Sequence, residues 1–325
     1  MKKWMGLVSL TLMGLLLVGC GPQSETNLTT VRVAEVIRSV FYAPQYVAME
    51  LGFFEEEGID IQLVTSDGAD NVMVALLSGA ADIGLSGPEA AIYVYNEGRD
   101  DHAVVFAGLT NRDGSFLIGR SPDFDWEDLR GAHVLPGRRG GMPFMVFEYV
   151  LAEQGVAADV YFDNSIQFSA MVGAFVSGTG DFVTAFEPVA STLELEGRGY
   201  VVASLGTESG DLPYTAYYAL SSFIEEHPEL LQGFTNAIAR AQQYIAENPP
   251  EHIAAIVAPY FPDAELDILT SAIERYQEVG AYAATPFITE EAFYRLQEIM
   301  THAGELTEIA PFTNLVNNQF AENVE

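Results

Sequence analysis

The sequence predicts an α/β protein built as two similar lobes, and three observations carry the prediction. Residues 41–98 alternate helical and strand periodicity in segments of about ten residues, the pattern of βαβ units. The stretch ALLSGAADIGL at 75–85 returns as AFVSGTGDFVT at 174–184, with Ala, Ser, Gly and Asp coinciding at a constant offset of 99. In both copies an apolar helix ends at Ser-Gly, a buried strand follows, and a Pro/Glu pair opens the next helix (Pro88-Glu89, then Glu187-Pro188). Beyond residue 221 the chain reads as helix almost throughout, so a first unit is interrupted by a second and completed by C-terminal helices.

Taken in order, the first twenty residues are an address rather than a fold. Lys2 and Lys3 precede an apolar run at 5–18 that is too short to span a bilayer as a helix. The run ends in Leu17-Val18-Gly19-Cys20, which resembles the lipobox of bacterial lipoproteins, where Cys20 becomes the lipidated first residue of the mature chain. Cys20 is the single cysteine of the 325 residues, so no intrachain disulfide is available and a large core must hold the molecule. Residues 21–30 read as a tether.

Strands are expected at 31–37, 59–64, 82–85, 103–109 and 115–118, with helices at 43–51, closed by Gly52, and at 71–77. The third strand delivers Ser86-Gly87-Pro88-Glu89, proline suiting the first turn of the next helix. Strands joined by helices imply right-handed crossovers and a mainly parallel sheet, with ligands beyond the carboxyl ends of the strands. The loops that matter are therefore 41–42, 66–69 and 86–89. A second set follows: strands at 132–135, 159–162 and 200–204, helices at 144–154 and 168–176. The glycine-rich 206–213 crosses back to a strand at 214–220. Segments near 115–121 and 206–214 are expected as two connecting strands that act as a hinge. The first lobe is expected to comprise 31–119 with 214–325, and the second 120–213.

Charge excludes several functions. Forty-six acids oppose fourteen Lys plus Arg, a formal −32, and both lysines lie in the leader. A nucleic-acid partner is disfavoured because phosphates need clustered cations. Without lysine the mature chain has neither a Schiff-base residue nor a P-loop. The five histidines show no zinc spacing and no GxSxG elbow is present, so neither an enzyme nor a metal site is expected.

Candidate ligand contacts gather at predicted strand ends. Gly137-Arg138-Arg139-Gly140-Gly141-Met142-Pro143 lies between a strand and a helix, where glycine lets backbone N–H groups approach a ligand and the helix start favours an acceptor or anion. Glu89 and Glu187 are the matched acids of the repeat; each either stabilises a helix start or accepts hydrogen bonds from a ligand. Phe41, Tyr42, Phe144, Phe186 and Tyr214 could wall a flat ring, Tyr42 and Tyr214 with a hydrogen-bonding tip as well.

With the lipobox, FYAPQYVAMELGFFEEEGIDIQLV and LLSGAADIGLSGPEAAIYVYNEG in place, the whole mature chain resembles the solute-binding lipoproteins of ABC importers. The branch takes up alkanesulfonates, nitrate and thiamine-pyrimidine precursors. The resemblance implies a two-lobed periplasmic-binding-protein fold of type II-like topology, anchored outside the cytoplasm by the lipid on Cys20. It implies a monomer that passes a small molecule to a permease with its ATPase, and no cofactor. It also implies ligand loops that include Tyr42, Ser86, Gly87, Thr110, Asn111, Gly140, Gly141, Glu187 and Tyr214. The branch's pyrimidine-synthesising enzyme needs a lysine-bound cofactor and a cysteine-rich motif, which this chain lacks. Two acids and several aromatics favour a heteroaromatic ligand such as a thiamine-precursor pyrimidine or flavin-like ring. The glycine loop and its arginines keep an anion open, and an exported carboxylate-dependent enzyme is the alternative of another class.

Overall fold

In a computed structural model, which describes residues 28–324, ten strands form two five-stranded sheets. The leader and Cys20 lie outside the described residues. The first sheet has the order β2-β1-β3-β10-β4, from β1 (Thr29–Glu35), β2 (Ile59–Thr65), β3 (Ile83–Ser86), β4 (Ala103–Thr110) and β10 (Thr215–Leu220). The second has the order β7-β6-β8-β5-β9, from β5 (Ser115–Gly119), β6 (His133–Leu135), β7 (Tyr161–Phe162), β8 (Phe182–Phe186) and β9 (Tyr200–Ser204).

The two orders are the same arrangement. In each sheet the third strand follows a helix and turn of the repeated motif, and the fourth runs antiparallel to its neighbours. The offset of 99 read from the sequence carries β3 onto β8. The repeated aspartates do matching work: Asp82 accepts from the backbone N–H of Arg32 at 2.8 Å, and Asp181 from that of His133 at 2.8 Å. Each ties the entry of the third strand to the second, so the shared residue is explained by strand registration.

Burial follows the sheet positions. All four residues of β3 are buried, as an inner strand covered on both faces requires, while the edge strand β2 exposes Gln62, Val64 and Thr65. The helix Pro228–Glu247 lays Leu231, Phe234, Ile238 and Ile245 into the core. There Phe234 meets Phe54, Phe106 and Tyr217 edge-on or tilted, at ring separations of 4.9–5.8 Å. Burying apolar surface at roughly 25 cal/mol per Å² makes such contacts the main source of stability in a chain without disulfides.

The ends of elements differ from expectation in three places. β1 begins at Thr29 and stops at Glu35, because Ser39 caps a short 3₁₀ turn, Val40–Tyr42, accepting from Phe41 N–H at 3.2 Å. Residues 115–119, expected as a connecting strand, are instead paired with both β8 and β9 inside the second sheet. The chain therefore changes sheet at 111–114, ahead of the boundary expected at 119–120. The return, expected as a strand over 206–214, opens with a short helix, Leu205–Ser209, capped by Ser204. At Gly206 a Cβ would lie 2.1 Å from the Asp113 carbonyl oxygen, so the two crossings touch where only glycine fits. Arg112 fastens them, donating to Asp211 at 2.7 Å and to the Val279 carbonyl at 2.8 Å.

Candidate ligand cleft

The carboxyl ends of the parallel strands in both sheets face one another across a cleft of about 910 Å³. On the first wall, the loop after β1 contributes Phe41 and Tyr42, the turn after β2 Asp67 and Gly68, and the loop after β3 Gly87 and Glu89. On the second, the loop after β6 contributes Arg138, Gly140, Gly141 and Met142; β7 is followed by Asn164 and Gln167, and β8 ends at Phe186. Tyr214 and Thr215 enter from the start of β10, which is antiparallel and so begins where the others finish. Phe41, Phe186 and Tyr214 pack against one another at ring separations of 5.6–6.4 Å, making one aromatic wall from both sheets.

Glu89 is the chemically unusual residue of the first wall. It is the first residue of the helix Glu89–Asn96, 6 % exposed, and its Oε2 has no hydrogen-bond partner. Burial pushes its carboxyl up to about 7, against the pull of its own backbone N–H. The carboxylate folds over Gly87, where a Cβ would lie 1.9 Å from Oε2, so glycine is required for that pose. A further buried hydroxyl on the cleft, that of Tyr93, is also without a partner, whereas that of Tyr214 lies against the buried Asp113 carboxyl. Tyr93 is pushed up to about 12, by burial first and by the Glu89 charge second. Tyr93 went unread in the sequence, although a residue four beyond Glu89 shares its helical face. Buried polar atoms normally find partners, so two orphans on one cleft mark where a ligand's polar edge would be received.

The second wall ends in a helix start. Gly141 is the N-cap of Met142–Glu153 and offers no side chain to the first turn; Pro143 follows within that turn. Gly140 takes φ +72°, and Gly141 N–H closes the turn on the Arg138 carbonyl at 3.2 Å. The Arg139 guanidinium lies 5.7 Å from the Phe144 ring centre.

Four expected contacts sit elsewhere. Ser86 is fully buried behind the cleft with its hydroxyl 2.7 Å from that of Tyr218. Thr110 Oγ1 accepts from Thr215 N–H at 3.1 Å, and Asn111, in the crossing, donates its backbone N–H to the Ala281 carbonyl at 3.1 Å. Glu187 does not mirror Glu89. Its side chain is wholly buried, pairs with Arg275 at 2.6 Å and accepts from Ser191 N–H and Oγ at 2.9 and 3.0 Å. Burial raises its pKa and Arg275 opposes the rise. The symmetry fails because Arg275 belongs to the helix Leu266–Glu278 of the C-terminal segment, for which the second unit has no counterpart.

Two like sheets with a shared cleft beyond their strand ends, closed by two short crossings, define the two-lobed periplasmic-binding-protein fold. The alkanesulfonate-binding protein SsuA from Xanthomonas axonopodis pv. citri, bound to MOPS, superposes with a TM-score of 0.71 at 14% identity, over 89% of this chain and 98% of that one. The chain belongs to the NMT1/THI5-like family, whose model matches residues 40–252. It is 42% identical over 306 residues to the Bacillus subtilis protein named "Putative binding protein YtlA", covering 93% of this chain and 92% of that one. It is also 24% identical over 293 residues to the formylaminopyrimidine-binding protein of Halalkalibacterium halodurans, covering 83% and 86%.

Proposed function

We propose that this protein is the solute-binding lipoprotein of an ABC importer and that it captures a small heteroaromatic compound, such as a thiamine-precursor pyrimidine, without altering it. The observation that carries this reading is the orphan Glu89 carboxyl and Tyr93 hydroxyl on a cleft walled by Phe41, Tyr42 and Phe186. Aromatic faces suit a flat ring, and buried unpaired polar atoms suit its amino group and ring nitrogens. The relative named for formylaminopyrimidine binding supports the same class. Tyr42, Gly87, Glu89, Arg138, Gly140, Gly141, Met142 and Tyr214 are the contacts we assign to the ligand from those expected.

In this reading the ligand bridges β1–β4 with β10 on one side and β5–β9 on the other. It thereby biases an open–closed equilibrium about the crossings at 111–114 and 205–214. The monomer is held outside the cytoplasm by a lipid on Cys20 and presents its closed form to a permease coupled to an ATPase. No helix among the described residues is long and apolar enough to cross a membrane, so anchoring falls to that lipid in this account.

A second reading, an anionic ligand such as an alkanesulfonate or nitrate, is favoured by Arg138 and the uncapped helix start beside it. Thermal-shift screening against 4-amino-5-hydroxymethyl-2-methylpyrimidine, its formylamino analogue, taurine and nitrate separates the two. Stabilisation by the pyrimidines is expected; stabilisation by taurine or nitrate alone refutes the heteroaromatic assignment.

A further inference from the structure

The chain has twelve arginines, fourteen Lys plus Arg less the two leader lysines, set among forty-six acids. With acids in such excess, an arginine is expected to be taken up by a carboxylate wherever it stands. Eight are: Arg32, Arg38, Arg112, Arg130, Arg198, Arg240, Arg275 and Arg295 form ion pairs. Arg99 and Arg120 donate to backbone carbonyls, and Arg139 lies over Phe144. The Arg138 guanidinium makes no hydrogen bond, ion pair or ring contact with any described residue, and Arg138 lines the cleft.

Its position is matched by an opposite one. Glu89 follows β3 of the first sheet and Arg138 follows β6 of the second, so the two stand on facing walls of one cleft. Glu89 is more than nine-tenths buried with Oε2 unpartnered. Arg138 stands beside Gly141, the N-cap of a twelve-residue helix that has no capping side chain, which adds the positive end of that helix to the guanidinium. Neither pole is neutralised within the protein. Leaving a buried carboxyl without a partner is costly, and the guanidinium opposite, exposed to solvent, is taken up by no carboxylate among the described residues.

We propose that the cleft is built for an amphoteric solute, its amino or protonated-nitrogen end against Glu89 and its carboxylate, sulfonate or phosphate end against Arg138 and the start of the Met142–Glu153 helix. This rests on the reading that the cleft holds a small solute, and it adds that one molecule must carry both poles. A bipolar solute also bridges the sheets: each pole is completed by a different wall, so neither half alone satisfies it. A solute with one pole completes one wall and leaves the other bare.

The test uses two matched series on the full chain, purified in detergent. The ring series is 4-aminopyrimidine-5-carboxylate, 4-aminopyrimidine and pyrimidine-5-carboxylate; the aliphatic series is taurine, ethylamine and ethanesulfonate. Dissociation constants come from calorimetry, on the parent and on Arg138→Gln and Glu89→Gln. In at least one series the bipolar compound should bind at least about tenfold tighter than either one-pole analogue, a difference of the size one charge-assisted contact makes. R138Q should erase the advantage over the amine-only compound, and E89Q the advantage over the acid-only one. Equal affinities within each series, or variants that leave the ratios unchanged, overturn the proposal, as does failure of all six compounds. If only the aliphatic series binds with the expected ratios, the two-pole inference stands and the heteroaromatic assignment falls.

Discussion

Replacing Glu89 by glutamine gives a prediction whose sign depends on pH. The carboxyl is pushed up to about 7 from an ordinary 4.5 because it is buried without a partner. Between those values the folded protein holds a proton that the unfolded chain has released. Stability contributed by this group is therefore greatest near and below pH 4.5, falls as the pH rises, and is fully lost above about 7. A displacement of that size corresponds to roughly 3 kcal/mol, at about 1.4 kcal/mol per pK unit. Glutamine keeps the shape and a neutral hydrogen-bonding group but cannot ionise. At pH 8.5 the ligand-free E89Q protein should be more stable than the parent by roughly 2–3 kcal/mol, or about 5 °C in Tm for a chain of this length. At pH 4.5 the two should melt within about 1 °C, since the parent is then neutral at this site as well. Thermal melts followed by circular dichroism at the two pH values read the difference directly. An equal shift at both, or a loss of stability at pH 8.5, would refute the account of an unpaired buried carboxyl. Stabilisation by removing a charge is also what a group kept for function rather than for folding is expected to show.

Two further substitutions probe what holds the sheets in register. Arg275→Met should lower the urea midpoint by the equivalent of about 3–5 kcal/mol, because it strands the wholly buried Glu187. Adding Glu187→Gln should restore most of the loss, and a single variant with an unchanged midpoint would remove the pair from the structural account. Gly206→Ala must push the two crossings apart, since its Cβ would lie 2.1 Å from the Asp113 carbonyl oxygen. A destabilisation of at least about 2 kcal/mol is expected from overpacking at such a contact, and a wild-type melt would show that the crossings do not touch.

Much of this architecture could be read from local pattern. The strand and helix periods, the repeated Ser-Gly…Asp signature and the glycine run at 137–143 all act through near neighbours in the chain. They placed β3, β8 and the second wall of the cleft, and Tyr42, Gly87, Glu89 and Tyr214 on its other side. What stayed hidden depends on partners far away in sequence. Glu187 and Glu89 look alike in their local settings, but an arginine 88 residues later claims only the first. The solitude of the Arg138 guanidinium is invisible in a list of residues, because it is defined by where the carboxylates of the described residues do not come. The short helix Leu205–Ser209 reads as a polar, glycine-rich crossing by composition and becomes helical because the Ser204 hydroxyl accepts from Thr207 N–H, with Gly206 packed on the Asp113 backbone. Ser86 faces Tyr218 rather than the cleft because successive side chains of a strand alternate faces, and its loop begins only at Gly87.

The insertion of β10 between β3 and β4 has a consequence for how the molecule is made. By the time residue 204 has been synthesised, every strand of the second sheet has been delivered, yet the first still lacks its fourth member. β4 has no neighbour to pair with until β10 arrives beside it, more than a hundred residues later. The half that is synthesised first is thus completed last, and the cleft can form only once the nested half is already in place.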